Sequence, residues 1–319
     1  MMTRIAVFPG QGAQAVGMGR ALFDAEPAAR AVFEEVDEAL AEKLSTLIFE
    51  GPEEALTLTR NAQPALMATS LAAVRALEAR AARKLGDMVD QAAGHSLGEY
   101  SALAAMGALD VGTAARLLRL RGEAMQAAVP AGDGAMAAVL GLAPDAALEV
   151  AAAAEAATGG VCELANDNAD GQAVLSGDRT AVGAACALAK EKGAKRAMLL
   201  QVSAPFHCRL MGPAAERLAE ALGKTAFRAP ARPVIANVTA EPVSDPALLP
   251  GLLTRQVTAR VRWRETMQRL AAGDTKLIAE LGAGKVLTGL ARRAVPTAAL
   301  FNVQGPDDLD GLVQALQAG

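Results

Sequence analysis

Short apolar runs alternate along this chain with longer stretches whose apolar residues recur every three or four positions. Ile5 to Phe8 is an apolar run closed by Pro9-Gly10, the pattern of a short buried strand. From Gly19 to Ala82 the spacing is helical, with breaks expected near Gly51-Pro52 and Asn61. A weak strand is expected over Met88 to Ala93, then helices from Ser101 and over Val111 to Met125. Pro130-Ala131-Gly132-Asp133-Gly134 is the strongest boundary signal in the first half.

Beyond it the texture changes. Met136 to Leu140, Val161 to Ala165, Ala173 to Ser176 and Ala197 to Val202 read as strands. Pro144 to Ala157 and Thr180 to Lys192 read as helices, the first with proline in its opening turn, where a missing N–H costs nothing. The resulting β-α-β-β-α-β order is that of a ferredoxin-like unit, compact enough to be an insertion in a larger α/β domain. Val234 to Asn237 resumes the alternation, followed by helices through Gln268, the segment Leu277 to Glu280 and a final helix from Asp307.

Gly94-His95-Ser96-Leu97-Gly98 stands between the weak strand and a helical run. Gly-x-Ser-x-Gly in that setting reads as a nucleophile elbow, a sharp strand-to-helix turn that exposes a serine. An ordinary Gly-flanked turn has the same pattern, so the serine needs a base. The chain has only two histidines. His95 adjoins the serine on a sharp turn, where neighbouring side chains point apart. His207, in Ser203-Ala204-Pro205-Phe206-His207, is therefore the candidate base. No acidic partner for it is evident.

Gln11, in Pro9-Gly10-Gln11-Gly12, follows the first strand; it fits either an N–H donor beside a reacting carbonyl or a plain turn. The segment is no dinucleotide fingerprint, because Ala15 stands where the third glycine belongs, and Gly282-Ala283-Gly284-Lys285 is no P-loop. Arg119 and Arg121 alternate with leucine on a helix, so at least one is expected to turn inward; a surface ion pair and a substrate carboxylate are both open as partners. Asn166-Asp167-Asn168-Ala169-Asp170-Gly171 lacks the bidentate glutamate of a calcium loop and is read as a polar loop between strands.

Composition narrows the class. The chain has 319 residues, 52% of them hydrophobic, enough for a large core. Aromatic content of 3% and a net charge of −4 argue against nucleic acid as a partner. Cys162, Cys186 and Cys208 are too scattered for a zinc site or a disulfide framework, which points to reduced thiols in the cytoplasm. Neither a signal peptide nor a membrane span is expected.

These segments together resemble the malonyl-CoA:acyl carrier protein transacylases of fatty-acid synthesis. The blocks that carry the resemblance run the length of the chain: Phe8 to Gln14, Asn61 to Ala65, Gly94 to Ala105, Arg121 to Pro130, Asn166 to Gly177, Ser203 to Pro213, Asn237 to Thr239, Arg255 to Val257 and Gly282 to Leu290. The resemblance implies an α/β fold: a hydrolase-like larger subdomain (1–131 and 203–319) with a parallel sheet and nucleophile elbow, and a ferredoxin-like insertion (132–202). It implies Ser96 as nucleophile, His207 as base, and Gln256 orienting His207 through its backbone carbonyl. Gln11 and the N–H of Leu97 would form the oxyanion hole, and Arg121 would bind the malonyl carboxylate. Phe206 matches the malonyl-preferring pattern, and Asn166 and Asn168 would line the channel for the thioester's pantetheine arm or nucleotide.

Malonyl-CoA and acyl carrier protein are the implied partners, with no cofactor and no metal. Lys195 and Arg196, at the end of a cluster that includes Lys190 and Lys192, and the pair Arg292-Arg293 are candidate contacts for an acidic carrier. A monomer is expected. The rival readings are a thioesterase with the same elbow, the acyltransferase subunit of malonate decarboxylase, a free-standing acyltransferase of polyketide synthesis, and a non-catalytic scaffold.

Overall fold

The computed structural model describes residues 3–317; Met1-Met2 and the last two residues lie outside that range. The strands are β1 (Thr3–Phe8), β2 (Gln91–Gly94), β3 (Gly134–Leu140), β4 (Cys162–Ala169), β5 (Gln172–Asp178), β6 (Arg196–Leu199), β7 (Val234–Ile235), β8 (Pro242–Val243), β9 (Thr275–Leu281) and β10 (Ala299–Val303). They form two sheets, a six-stranded one in the order β10-β9-β1-β2-β7-β8 and a four-stranded one in the order β4-β5-β3-β6. From β10 to β7 every pairing in the larger sheet is parallel, and only β8 runs against its neighbour. The smaller sheet is antiparallel throughout, and helices Pro144–Thr158 and Arg179–Glu191 complete its β-α-β-β-α-β order.

Parallel pairing aligns the carboxyl ends of β1, β2 and β7. The loops that leave those ends are the ones that carry Gln11, Ser96 and Asn237. This is where open parallel sheets place their ligands. Helix Thr59–Ala81 supports the arrangement from within. It is buried almost all round, as its Ala-rich sequence with no polar face requires, and is the central strut of the larger core.

Several expectations need correction. The break expected near Asn61 is present, at Leu58, and Asn61 Nδ2 donates back to the Ala55 carbonyl at 2.8 Å to close the turn. The helix after the elbow starts at Gly98, not Ser101, because Ser96 and Leu97 make the turn themselves. The Asn166 to Gly171 stretch is not a loop. Strand β4 runs through to Ala169, and only Asp170-Gly171 turns. Its polar side chains reach across to the larger sheet's elements: Asp167 receives two hydrogen bonds from Arg264, both at 2.9 Å. Polar composition here marks an interface, not solvent. The expected strand Ala197 to Val202 stops at Leu199. The edge strand β10 has no counterpart in the periodicity, since its side chains are only partly buried before Val303.

Candidate active site

The elbow is shaped by absent side chains. A Cβ on Gly94 would lie 1.8 Å from the Gly98 carbonyl oxygen, and one on Gly98 would lie 2.3 Å from the Phe8 carbonyl oxygen. Only glycine lets strand, turn and helix approach so closely. Between them Ser96 is held at φ 53°, a left-handed conformation uncommon for a residue with a side chain. Its N–H donates to Asn237 Oδ1 at 2.7 Å, and Asn237 Nδ2 donates to the Gly94 carbonyl at 2.7 Å. Asn237 thus pins the turn on both sides.

Ser96 Oγ lies 2.8 Å from His207 Nε2. His207 Nδ1 lies 2.8 Å from the backbone carbonyl of Gln256. A carbonyl can only accept, so Nδ1 carries the proton and Nε2 is left free to accept from the serine hydroxyl. His207 as a residue is 3% exposed. Burial, reinforced by the Arg121 guanidinium, pushes its pKa down to about 3, so the neutral, proton-accepting form prevails.

His95 borders the same cavity but makes its hydrogen bond away from Ser96 Oγ. Its Nε2 donates to Asn168 Oδ1 at 2.9 Å and its ring packs against Trp263 with centroids 5.5 Å apart. Asn168, whose amide oxygen is engaged by His95, does not border the cavity above Ser96 and lies instead at a separate surface hollow. Asn166 does line the cavity, and its Oδ1 has no partner among the described residues.

Both arginines of the Leu-Arg-Leu-Arg run turn inward. Arg119 donates to Asn61 Oδ1 at 2.8 Å and pairs with Glu42. Arg121 is 1% exposed. Its Nη1 donates to Gln63 Oε1 at 2.8 Å, and its Nη2 to Gln256 Oε1 at 3.0 Å and to Ser96 Oγ at 3.1 Å. Its guanidinium also lies over the Tyr100 ring, 5.8 Å from the centroid. Among the described residues no carboxylate bonds Arg121 directly; the nearest acidic group in its network is Glu99, reached through Gln256. Burial holds the Glu99 carboxyl up to about 7.

A cavity of about 510 Å³ opens above Ser96 and His207, bordered by Gln11, Arg121, Asn166 and Phe206. That volume suits a small acyl group with part of a thioester arm. Gln11 Nε2 donates to Thr59 Oγ1 at 3.2 Å, and Thr59 Oγ1 lies 2.7 Å from Ser203 Oγ, so the loop after β1 is tied to the cavity's far wall. The backbone N–H groups of Gln11 and Leu97 donate to no acceptor among the described residues. Lys195, Arg196, Arg292 and Arg293 are all exposed, and Arg293 also donates to Gln172 Oε1 at 3.1 Å.

The periodicity reading assigned no role to Asn237, Glu99 or Gln63. One signal was available for Glu99: a lone carboxylate heading an otherwise apolar helix. Asn237 shares with Gln11 and Ser96 a place just after a strand.

Comparison with known proteins agrees with this geometry. The acyl transferase domain family matches residues 5–303. The malonyl CoA-acyl carrier protein transacylase of Bacillus subtilis (strain 168) is 45% identical over 99% of this chain and 98% of its own. The crystal structure of acyl-carrier-protein-S-malonyltransferase from Bartonella henselae superposes with a TM-score of 0.96 at 50% identity, covering 99% of this chain and 100% of that one. A malonyl-transacylase solved with its type II polyketide acyl-carrier protein superposes with a TM-score of 0.93 at 38% identity, covering 98% and 99% of the two chains. The chain is an acyltransferase and belongs to the acyl transferase family.

Proposed function

We propose that this enzyme moves a malonyl group from malonyl-CoA to the phosphopantetheine thiol of an acyl carrier protein, by way of a malonyl ester on Ser96, supplying extender units for fatty-acid synthesis. The observation that carries this reading is the buried Arg121, without a bonded carboxylate among the described residues, in contact with Ser96 Oγ. A malonyl group on that oxygen ends in a carboxylate that the guanidinium can pair with.

His207 Nε2 takes the Ser96 proton as Oγ attacks the thioester carbon. The oxyanion is held by the free N–H groups of Gln11 and Leu97. The C–S bond breaks, and coenzyme A leaves with the proton from His207. The carrier thiol then gives its proton to His207 and attacks the ester; the C–O bond breaks and Ser96 recovers its proton. The Gln256 carbonyl keeps the imidazole in the tautomer both halves need. The thioester is already activated, so no cofactor or metal is required. Phe206 narrows the space beside the acyl α-carbon, and Asn166 faces the thioester arm.

All these groups come from one chain, which supports a monomer as the working unit. A cytoplasmic setting fits the acyl-CoA donor and the three free cysteines. No helix among the described residues is long and apolar enough to cross a membrane. Lys195, Arg196, Arg292 and Arg293 offer cations to an acidic carrier.

A polyketide carrier is the second reading, favoured by the likeness to the transacylase solved with such a partner. The test is a product balance with malonyl-CoA and a holo-carrier of each pathway. Malonyl-carrier formed in large excess over free malonate supports transfer, and the faster carrier identifies the pathway. Free malonate as the main product would make the protein a thioesterase.

A further inference from the structure

Glu99 sits in the first turn of helix Gly98–Ala105 and is 2% exposed. One of its oxygens, Oε2, accepts from Gln256 Nε2 at 2.6 Å and from the Asn237 backbone N–H at 3.0 Å. The same Gln256 Nε2 donates to the Ser96 carbonyl at 3.0 Å. At the other end of that amide, Oε1 accepts from Arg121 Nη2, the nitrogen that also touches Ser96 Oγ.

An amide side chain has two ends of opposite polarity and similar shape. Two acceptors, Glu99 Oε2 and the Ser96 carbonyl, claim the NH2 end and leave the oxygen facing Arg121. Turned over, the amide would set its NH2 group against a guanidinium, and its oxygen against a carboxylate and a carbonyl. In a buried site each such mismatch is costly. Glu99 therefore decides which end of Gln256 the guanidinium meets. The backbone of Gln256 holds the base and its side chain holds the cation, so one residue registers both against the serine.

We propose that Glu99 is a positioning residue for acyl-group selection: through the Gln256 amide it holds Arg121 at the angle at which the guanidinium meets the acyl carboxylate. The inference rests on the malonyl reading above. It gives Glu99 no contact with substrate.

The test compares Ser96 acylation by malonyl-CoA and by acetyl-CoA in wild type, Glu99→Gln, Glu99→Met and Arg121→Met. Glu99→Gln keeps an oxygen where both donors point and retains the wild-type malonyl-to-acetyl ratio. Glu99→Met removes it, and the ratio falls by about tenfold because the cation is no longer held in register. A folding defect alone lowers both rates together and leaves the ratio unchanged. An unchanged ratio in Glu99→Met, or a ratio in Glu99→Gln as low as in Glu99→Met, overturns the inference. If Glu99→Met does not fold, Gln256→Met carries the test: it keeps the backbone carbonyl on His207, loses the amide, and must show the same fall. Arg121→Met separates the two levels. If it leaves the ratio unchanged, the malonyl reading itself fails; if it lowers the ratio and Glu99→Met does not, only the role of Glu99 fails.

Discussion

The guanidinium of Arg121 lies 3.1 Å from the hydroxyl oxygen of Ser96. A buried cation in contact with a nucleophile acts twice. It favours negative charge on the serine oxygen, and on the proposed function it stands where the far end of a short dicarboxylic acyl group would arrive. Among the described residues no carboxylate bonds Arg121 directly, and on the proposed function an acyl carboxylate would supply the charge it lacks.

Replacing Arg121 with methionine is expected to lower kcat/KM for malonyl-CoA by on the order of 100-fold or more, the usual effect of removing one partner from a buried charged pair. Acetyl transfer falls much less. Steady-state kinetics with both donors measures the difference, and equal losses would remove the carboxylate role.

His207 sets the pH dependence. Its pKa is held far below 6.5, at about 3, first by burial and then by the Arg121 cation. The base form therefore persists as pH falls, and Ser96 acylation should stay flat from neutral pH to well below 6.5. In Arg121→Met the repulsion is gone, so the acid limb moves to higher pH. Rapid-quench acylation across pH reads both. The same depression costs stability in acid: the unfolded imidazole takes a proton below 6.5 and the folded one does not, so stability declines from there down toward 3. Denaturation midpoints in His207→Gln should decline less across that window.

Asn237 is expected to matter without touching substrate. Asn237→Ala leaves the Ser96 N–H and the Gly94 carbonyl without their partner. Each loss costs about 1–3 kcal/mol when the group stays buried. A lowered melting temperature with a lowered kcat is the expected pair of changes; an unaltered kcat would show that the elbow holds its strained φ without the pin.

The glycines at the elbow leave no room for substitution. A Cβ on Gly94 would lie 1.8 Å from backbone oxygen, which cannot move without shifting the helix. Gly94→Ala should destabilise the fold by about 3 kcal/mol or more, at the upper end of overpacking costs. Chemical denaturation measures it, and a near-neutral effect would contradict the packing described.

Much of this was legible in the residues. The elbow followed from Gly94, Ser96 and Gly98. His207 followed from there being only two histidines and one of them adjoining the serine. The β-α-β-β-α-β segment was plain from alternating periodicities, which are local signals. What could not be read depends on contacts between distant parts of the chain. Asn166, Asp167 and Asn168 looked like a loop because they are polar, yet they are strand residues whose partners, Val261, Arg264 and His95, lie far off in sequence. Whether Arg121 paired at the surface or stayed buried was undecidable from a helix buried on more than one face. The role of Glu99 is invisible without the Gln256 amide beside it.

The central claim is that Ser96 carries malonyl between two thiols. Intact-protein mass spectrometry after mixing with malonyl-CoA tests it most directly. A single malonyl adduct that maps to Ser96, is absent from Ser96→Ala and disappears on adding holo-carrier protein is the expected result. No adduct, an adduct on another residue, or one that the carrier thiol cannot discharge would contradict the account.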